Sequence, residues 1–501
     1  MRAAILSLSL LVLIPAFSGC LGDDAGGKDA TSIRQGGKQA KAPGLDGAGS
    51  FVATAADGTL VDPSLLLGVP ALAGEQRFLG TRTFEPTIGI NKAGHLFMVA
   101  FGGGAKIYKS MDQGVTWKDT TARLATNPTN GQPIYNPPNS NDPFVWVDRE
   151  TGRVFSSDLQ ALICSWLNFS DDGGSTWTTN PIGCGHPFGV HDHQSIATGK
   201  ARSTPTAWNN RMVYYCINRV GDSSCAASHT GGLNFGPLVT VMLGVDVERG
   251  GLCGGLTGHV KTDNAGRVLW GKNQCSAGVV AISEDDGRTW FTRVVTGALG
   301  IRGHDVEIAA DAKDNLYAFF IAGNGLPHLA ISKDHGRTWA PPINVAPPSL
   351  TASKFNAIAA NAEGKIAFSY LGTTHPGGFK NADEAQWEGA LWHGYIGVMV
   401  DALAPNPITL TTMVDSDKDP MAKGSCAGRC SGMGDFFDIQ IDPQGRPWTA
   451  FVDVCTEKCA SGGQHDGNQG VTGTLATGPA LTAEGGALPA LPPLAIPATA
   501  Q

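Results

Sequence analysis

The octapeptide Ser110-Met111-Asp112-Gln113-Gly114-Val115-Thr116-Trp117 recurs at Ser170–Trp177, Ser283–Trp290 and Ser332–Trp339, each time as S-x-D-x-G-x-T-W. A degenerate fifth copy is Ser228-His229-Thr230-Gly231-Gly232-Leu233-Asn234-Phe235. Four full matches at five fixed positions exclude coincidence, and a repeat fixes architecture before any single segment does. The motif reads as a stapled hairpin turn. An Asp carboxylate accepts from nearby backbone N–H groups, a Gly takes a positive φ that other residues resist, and a Trp opens the outgoing strand and buries its ring. Asp112, Trp117, Asp172, Trp177, Asp285, Trp290, Asp334 and Trp339 are therefore expected to be structural.

A second repeat precedes each box: apolar strand residues, a turn with Asp or Asn and usually Gly, then another apolar strand. Ile88-Gly-Ile90-Asn91-Lys-Ala-Gly94, Val145-Trp-Val147-Asp148-Arg-Glu-Thr-Gly152 and Ile439-Gln-Ile441-Asp442-Pro-Gln-Gly445 are clear copies. Val260 to Gly266, Ile308 to Asn315 and Ile358 to Gly364 fit as well, and Ser195 to Asn210 is a stretched variant. Seven units result, beginning near residues 85, 142, 192, 258, 304, 353 and 435. Each reads strand A, turn, strand B, loop, strand C, octapeptide turn, strand D. Repeated four-stranded antiparallel units describe an all-β propeller, here expected to be seven-bladed with six as the alternative. The last unit lacks a clear fourth strand, and residues 51–80 are expected to supply it.

Composition agrees. Glycine makes up 67 of 501 residues, about 13% and nearly twice the usual roughly 7%, while only 16% of residues are charged. That excludes a disordered chain and a coiled coil. A net charge of −8 offers no basic footprint for nucleic acid.

On its boxes and strand pattern, residues 85–475 resemble the sialidase/BNR superfamily of Asp-box propellers. The resemblance implies the fold; the superfamily includes sialidases, other glycosidases and proteins without known catalysis. Its sialidases hold a substrate carboxylate with three arginines and use a Tyr–Glu nucleophile and an Asp acid/base. Their Arg-Ile-Pro motif is absent here: the nearest segment, Arg82-Thr-Phe-Glu85-Pro86, does not match. No catalytic residue is carried over, and six blades in sialidases against seven units here weigh against that activity.

Residues 1–20 read as a lipoprotein signal peptide. Arg2 precedes an apolar run, and Phe17-Ser18-Gly19-Cys20 resembles a lipobox whose cysteine, Cys20, is lipidated. Residues 21–50 read as a flexible tether, 51–476 as the propeller, and 477–501 as a low-complexity tail outside the fold. The mature protein is expected to be exported and membrane-anchored at the cell surface or in the periplasm, through lipid only.

Ten further cysteines in an exported chain default to disulfides. Cys164 and Cys184 bracket the second box, Cys216 and Cys225 flank a turn, and Cys253 and Cys275 lie before strand A and after strand B of one unit. Cys426, Cys430, Cys455 and Cys459 leave three pairings open, with zinc at the two Cys-x3-Cys pairs as a rival. All these positions map to the face opposite the octapeptide turns. So do the insertions 118–141, 178–191, 243–257, 372–392, 403–434 and 456–470, which makes this loop-rich face the expected working surface.

Polar residues recur there where strand A enters the central channel: Glu85, Asp142, His191-Asp192-His193-Gln194, His259, His304-Asp305 with Glu307, and Asp435 with Asp438. They suit a structural ring bonding neighbouring strand ends, a cation site of Ca²⁺-type carboxylate ligands, or a catalytic or sugar-binding cluster. As catalytic candidates we take Asp192, His193, Asp305 and Glu85. Asp142, His191, His304, Glu307, Arg302, Trp387 and Trp392 are the ligand-binding candidates. Tyr135, Trp208 and Tyr395 are further loop aromatics, and Arg82, Arg219, Arg429 and Tyr370 are expected near this face. The expected function is binding or processing of extracellular glycans, with no cofactor required; the carboxylates are also compatible with a Ca²⁺ ion. The alternative is a non-catalytic scaffold that binds a surface protein.

Overall fold

The computed structural model describes residues 51–494, except 102–104, 127, 132, 136–140, 181, 183–190, 220, 245–254, 377–386, 427–428 and 466. Cys20 and the expected signal peptide and tether lie outside the described residues.

Each of the seven sequence units becomes one antiparallel sheet. The first pairs Ile88–Ile90, Leu96–Phe101, Ala105–Ser110 and Lys118–Asp119 in chain order. The second pairs Asn141–Val147, Val154–Gln160, Cys164–Ser170 and Thr178–Asn180, and the third His191–Lys200, Arg211–Arg219, Asp222–Ser228 and Val239–Leu243. The fourth contains Lys261–Thr262, Val268–Gln274, Ala277–Ser283 and Phe291–Val294; the fifth contains Glu307–Ala310, Leu316–Ile321, Pro327–Ser332 and Ile343–Asn344. These five and the closing sheet are four-stranded; the sixth carries the same meander, Ala352–Ala360, Ile366–Thr373, Leu391–Met399 and Ile408–Met413, enlarged to seven strands. The first strands of successive sheets neighbour one another in a closed cycle, and strand Asp438–Ile441 of the last returns to Ile88–Ile90 of the first. This is the expected propeller.

Closure divides the N-terminal segment between two sheets. Ala73–Arg82 pairs with Gln469–Thr477 and completes the last sheet, whose other strands are Pro447–Asp453 and Asp438–Ile441. Phe51–Ala55 instead extends the sixth sheet along Ile408–Met413, with Leu60–Val61 outside it. Residues 408–413, expected within an insertion, are thus the sixth sheet's fourth strand.

The second strands are buried on both faces: every residue of Leu316–Ile321, Ile366–Thr373 and Pro447–Asp453 is buried. Sheets packed on both sides leave little room for charge, which accounts for the low charged fraction. Neighbouring sheets approach closely enough that a Cβ at Gly271 would sit 2.0 Å from Val306 O.

The octapeptide folds the same way in all four full copies. Thr116 N–H and Oγ1–H donate to the two oxygens of Asp112 at 2.9 and 2.6 Å, while Gly114 N–H donates to Ser110 Oγ at 2.8 Å. Asp172, Asp285 and Asp334 repeat these bonds with Thr176, Thr289 and Thr338. In the degenerate copy Thr230 Oγ1 takes the place of the carboxylate and accepts Asn234 N–H at 2.9 Å. The fixed Ser, Asp, Gly and Thr each have a local bonding role, and the carboxylates point into their own turns.

The Ala/Pro/Leu-rich C-terminal stretch is docked along 478–494. Leu481 is fully buried and Ala480 nearly so. Arg77 Nη2 donates to Pro492 O at 2.7 Å, Arg446 donates to Pro489 O, and Lys365 donates to Thr482 O. It forms a strap across the turns of the last two sheets.

Cys216–Cys225 is a disulfide, and the open quartet resolves as Cys426–Cys430 and Cys455–Cys459. These two bridges consume the thiolates that the zinc alternative needed. Cys164 and Cys275 are also disulfide-bonded; Cys184 and Cys253 lie outside the described residues.

Candidate functional site

Strand A of every unit carries an apolar anchor: Ile88, Val145, Ile196, Val260, Ile308, Ile358 and Ile439. Three residues before these anchors stand Glu85, Asp142, His193, Thr257, Asp305, Phe355 and Phe436. Glu85, Asp142, His193 and Phe355 have φ of 48°, 43°, 47° and 56°, and the last three lie in register shifts of their strands. A left-handed residue in a bulge re-aims its side chain, and here the kink recurs at the channel mouth.

These residues link neighbouring sheets. Asp142 Oδ2 accepts His193 N–H at 3.0 Å, His193 Nδ1 bonds Thr257 O at 3.0 Å, and Asn356 Nδ2 donates to Asp305 Oδ1 at 3.0 Å. Glu85 Oε1 accepts Asp435 N–H at 2.9 Å and joins the first sheet to the last. One layer below, Glu307 Oε1 accepts His259 N–H at 2.8 Å, and Asp438 Oδ2 accepts Ile88 N–H at 3.3 Å. Lys261 and Asp438 meet at 3.5 Å across the channel.

Their protonation follows from crowding carboxyls out of water. Burial, with Asp142 beside it, pushes Glu85 well above the usual carboxylate range. Burial likewise lifts Asp192 to about 7 and Asp305 to about 6, although His193 pulls both down. Asp142 is held low despite its burial, by His193 and by side-chain hydrogen bonds from Glu85 and Asp192. It is the ionised member, and protonated Glu85 and Asp192 donate to it. Burial opposes the charged form of His193, but Asp192, Asp142, Asp435 and Asp305 outweigh it and raise its pKa. Among the described residues His193 Nε2 has no hydrogen-bond partner, and its ring stands edge-on to Phe436 at 5.0 Å. Burial keeps His259 neutral and drives Glu307 well up.

Beside this cluster lies a cleft of about 170 Å³ between the fifth, sixth and seventh units, lined by Arg302, His304, Asp305, Lys354, Phe355 and Asp435 among others. His304 is 39% exposed with Nδ1 3.7 Å from Asp435, and Arg429 reaches Asp435 Oδ2 at 2.8 Å. Burial and Arg302 bring Lys354 down to about 8, with Asp435 opposing them. The cleft offers the cations Arg302 and Lys354 beside the raised carboxyl of Asp305.

The structure brings together Asp192, His193, Asp305, Glu85, Asp142, His304 and Arg302, and corrects other expectations. Glu307 is buried one layer below the mouth, bonded to His259 N–H, and His191 is buried at the loop end of its strand with its N–H donating to Leu162 O. Trp387 and Trp392 pack on each other at 5.3 Å in the core rather than presenting ring faces. Tyr395 is buried and stacked on Tyr370, and Trp208 packs under Arg153. Arg219 is committed to Asp222 at 2.6 and 2.5 Å. The side chain of Tyr135 lies outside the described residues. Lys354, Asn356, Lys261 and Phe436 were missed. Lys354 occupies the frame position of Asp192, His304 and Asp435, and aligning the strands on their anchors exposes it. Among the described residues no group of three or more His, Cys, Asp or Glu side chains is placed to hold a metal ion.

No protein-family model and no curated protein matches the chain. Solved structures do. A protein of unknown function from Dyadobacter fermentans aligns with TM-score 0.41 and 13% identity over 82% of this chain and 99% of its own. The leech intramolecular trans-sialidase aligns at 0.38 and 12%, over 79% and 69%. The Aleuria aurantia lectin, seen with Fucα1-6GlcNAc, aligns at 0.38 and 12%, over 70% and 99%. At this distance none transfers an activity to this chain.

Proposed function

We propose that this is an exported propeller, anchored through Cys20, that binds and processes extracellular glycans at the loop-rich end of its channel. One observation carries the reading: the cleft of Arg302, His304, Lys354 and Asp435 opens beside carboxyls whose pKa values lie near neutrality. Asp192 and Asp305, at about 7 and 6, hold protons at a pH where ordinary carboxyls are ionised. That is the condition for a general acid in glycoside cleavage. Arg302 and Lys354 would seat an oxygen-rich substituent, and the disulfides accord with an oxidising compartment.

The test is a panel of fluorogenic glycosides, a sialoside included, with the wild type, Asp192→Asn and Asp305→Asn. Turnover that falls 10²-fold or more in either variant without a drop in melting temperature supports it. No turnover on any glycoside sinks the processing half. A second reading, a non-catalytic binding propeller, is favoured by the inter-sheet bonds of Glu85, Asp142 and Asp305, which also serve a purely structural ring. It predicts ligand retention without turnover.

A further inference from the structure

The opposite end of the axial channel carries a wider opening. A funnel of about 910 Å³ lies where strand A ends in five units, with Trp146, Thr198, Thr262, Ala310 and Gln440 around the axis. It falls within the roughly 300–1,000 Å³ of small-molecule sites. The Lys261–Asp438 pair stands between it and the loop-face cleft, and Lys261 Nζ lies 5.1 Å over the Trp146 ring.

One wall is the stretched turn of the third unit. Where most other units turn on a glycine, residues 201–210 loop outward and return through Asn209 and Asn210, with φ of 49° and 54°. The loop is clamped to the fourth unit's octapeptide turn. Asp286 accepts Arg202 N–H, Ser203 N–H and Ser203 Oγ–H at 2.8, 2.8 and 2.6 Å, and within its own unit Ala207 N–H donates to His229 O of the degenerate copy at 2.8 Å. A wall held this firmly, with strain at its tip, is a preformed feature.

The polar groups it presents are unspent. Among the described residues the side-chain amides of Asn209, Asn210 and Gln440 have no partner, and Lys200 is exposed without a carboxylate. Arg149 Nε donates to Ile90 O at 3.2 Å and its Nη2 to Ile441 O, and the Asp442 carboxylate offsets its charge, so it serves the wall rather than a ligand. The funnel's acids are already committed: Glu150 to Lys92 at 3.0 Å and Asp263 to Arg267 at 2.8 Å. Amides that offer donor and acceptor side by side suit vicinal hydroxyls, the half-buried Trp146 offers apolar surface, and the exposed Lys200 ammonium calls for an anion.

We infer that this funnel is a second binding site, distinct from the loop-face cleft, for a saccharide bearing an acidic group. Sodium glucuronate, glucose and sodium sulfate are the probes, titrated calorimetrically into the full mature chain. Glucuronate should bind, with glucose and sulfate each at least tenfold weaker. Lys200→Gln and the double change Asn209→Gly, Asn210→Gly should each weaken glucuronate about tenfold, since glycine keeps the left-handed backbone. Arg302→Gln, at the other mouth, should leave that affinity unchanged. No glucuronate binding, sulfate binding as tight as glucuronate, or binding indifferent to Lys200→Gln overturns the assignment. Loss on Arg302→Gln alone places the sugar in the loop-face cleft and overturns it equally.

Discussion

Glu85 Oε1 accepts the backbone N–H of Asp435 at 2.9 Å, so the first and last units of the ring are joined by a side chain that also belongs to the carboxyl cluster. Arg429 lies over the junction, 3.4 Å from Glu85 and 2.8 Å from Asp435. Ring closure and the electrostatics of the mouth therefore share one carboxyl.

Gly434 makes that junction possible. Its φ is +107°, and a Cβ there would fall 2.1 Å from Glu85 Cγ. Gly434→Ala is expected to cost about 2 kcal/mol or more through strain and displacement of Glu85. Urea unfolding measures it; an unchanged midpoint would mean that the junction is loose.

The cluster sets a pH dependence. Asp192 titrates near 7 in the folded chain against about 3.8 unfolded, so the native state holds the extra proton between those values. Stability from this group is thus greatest at acid pH and falls as pH rises towards 7. Asp192→Asn, neutral throughout, should raise the melting temperature by about 1–3 °C at pH 8 and change it little at pH 5. The reverse order would show the carboxylate to be stabilised by folding.

Peptide mapping without reduction should recover Cys216–Cys225, Cys426–Cys430 and Cys455–Cys459, together with Cys164–Cys184 and Cys253–Cys275. A peptide linking Cys426 or Cys430 to Cys455 or Cys459 would refute the local pairing. Replacing Cys216 and Cys225 by alanine should cost about 2–3 kcal/mol for a loop of this length.

The C-terminal strap should contribute to stability. Leu481→Ala removes a fully buried side chain and is expected to cost about 2–4 kcal/mol by thermal or chemical unfolding. Ending the chain at residue 477 should cost at least as much, since it also strips Arg77 and Arg446 of carbonyl partners.

The legible parts of the fold were those whose interactions are local. Ser110, Asp112, Gly114 and Thr116 bond within their own turn, so the motif alone states the geometry. The polar run at the strand-A starts was visible because it recurs at a fixed offset from the apolar anchors, although its bonds reach neighbouring sheets. Lys261 and Asp438 meet across the channel from units far apart in sequence, and only a lysine beside a strand's apolar anchor hinted that a partner was needed. Trp387 and Trp392 look the same in sequence whether they stack on a sugar or on each other. The strap has no period because it binds through its own carbonyls, which any residue supplies.

The central claim is that the loop-face mouth is a glycan site. Binding of the mature chain to a glycan array, with Arg302→Gln in parallel and both melts recorded, tests it most directly. The account predicts a defined set of glycans retained by the wild type and lost by Arg302→Gln at equal melting temperature. A wild type that retains no glycan, or an Arg302→Gln variant that retains the same set as strongly, would contradict it.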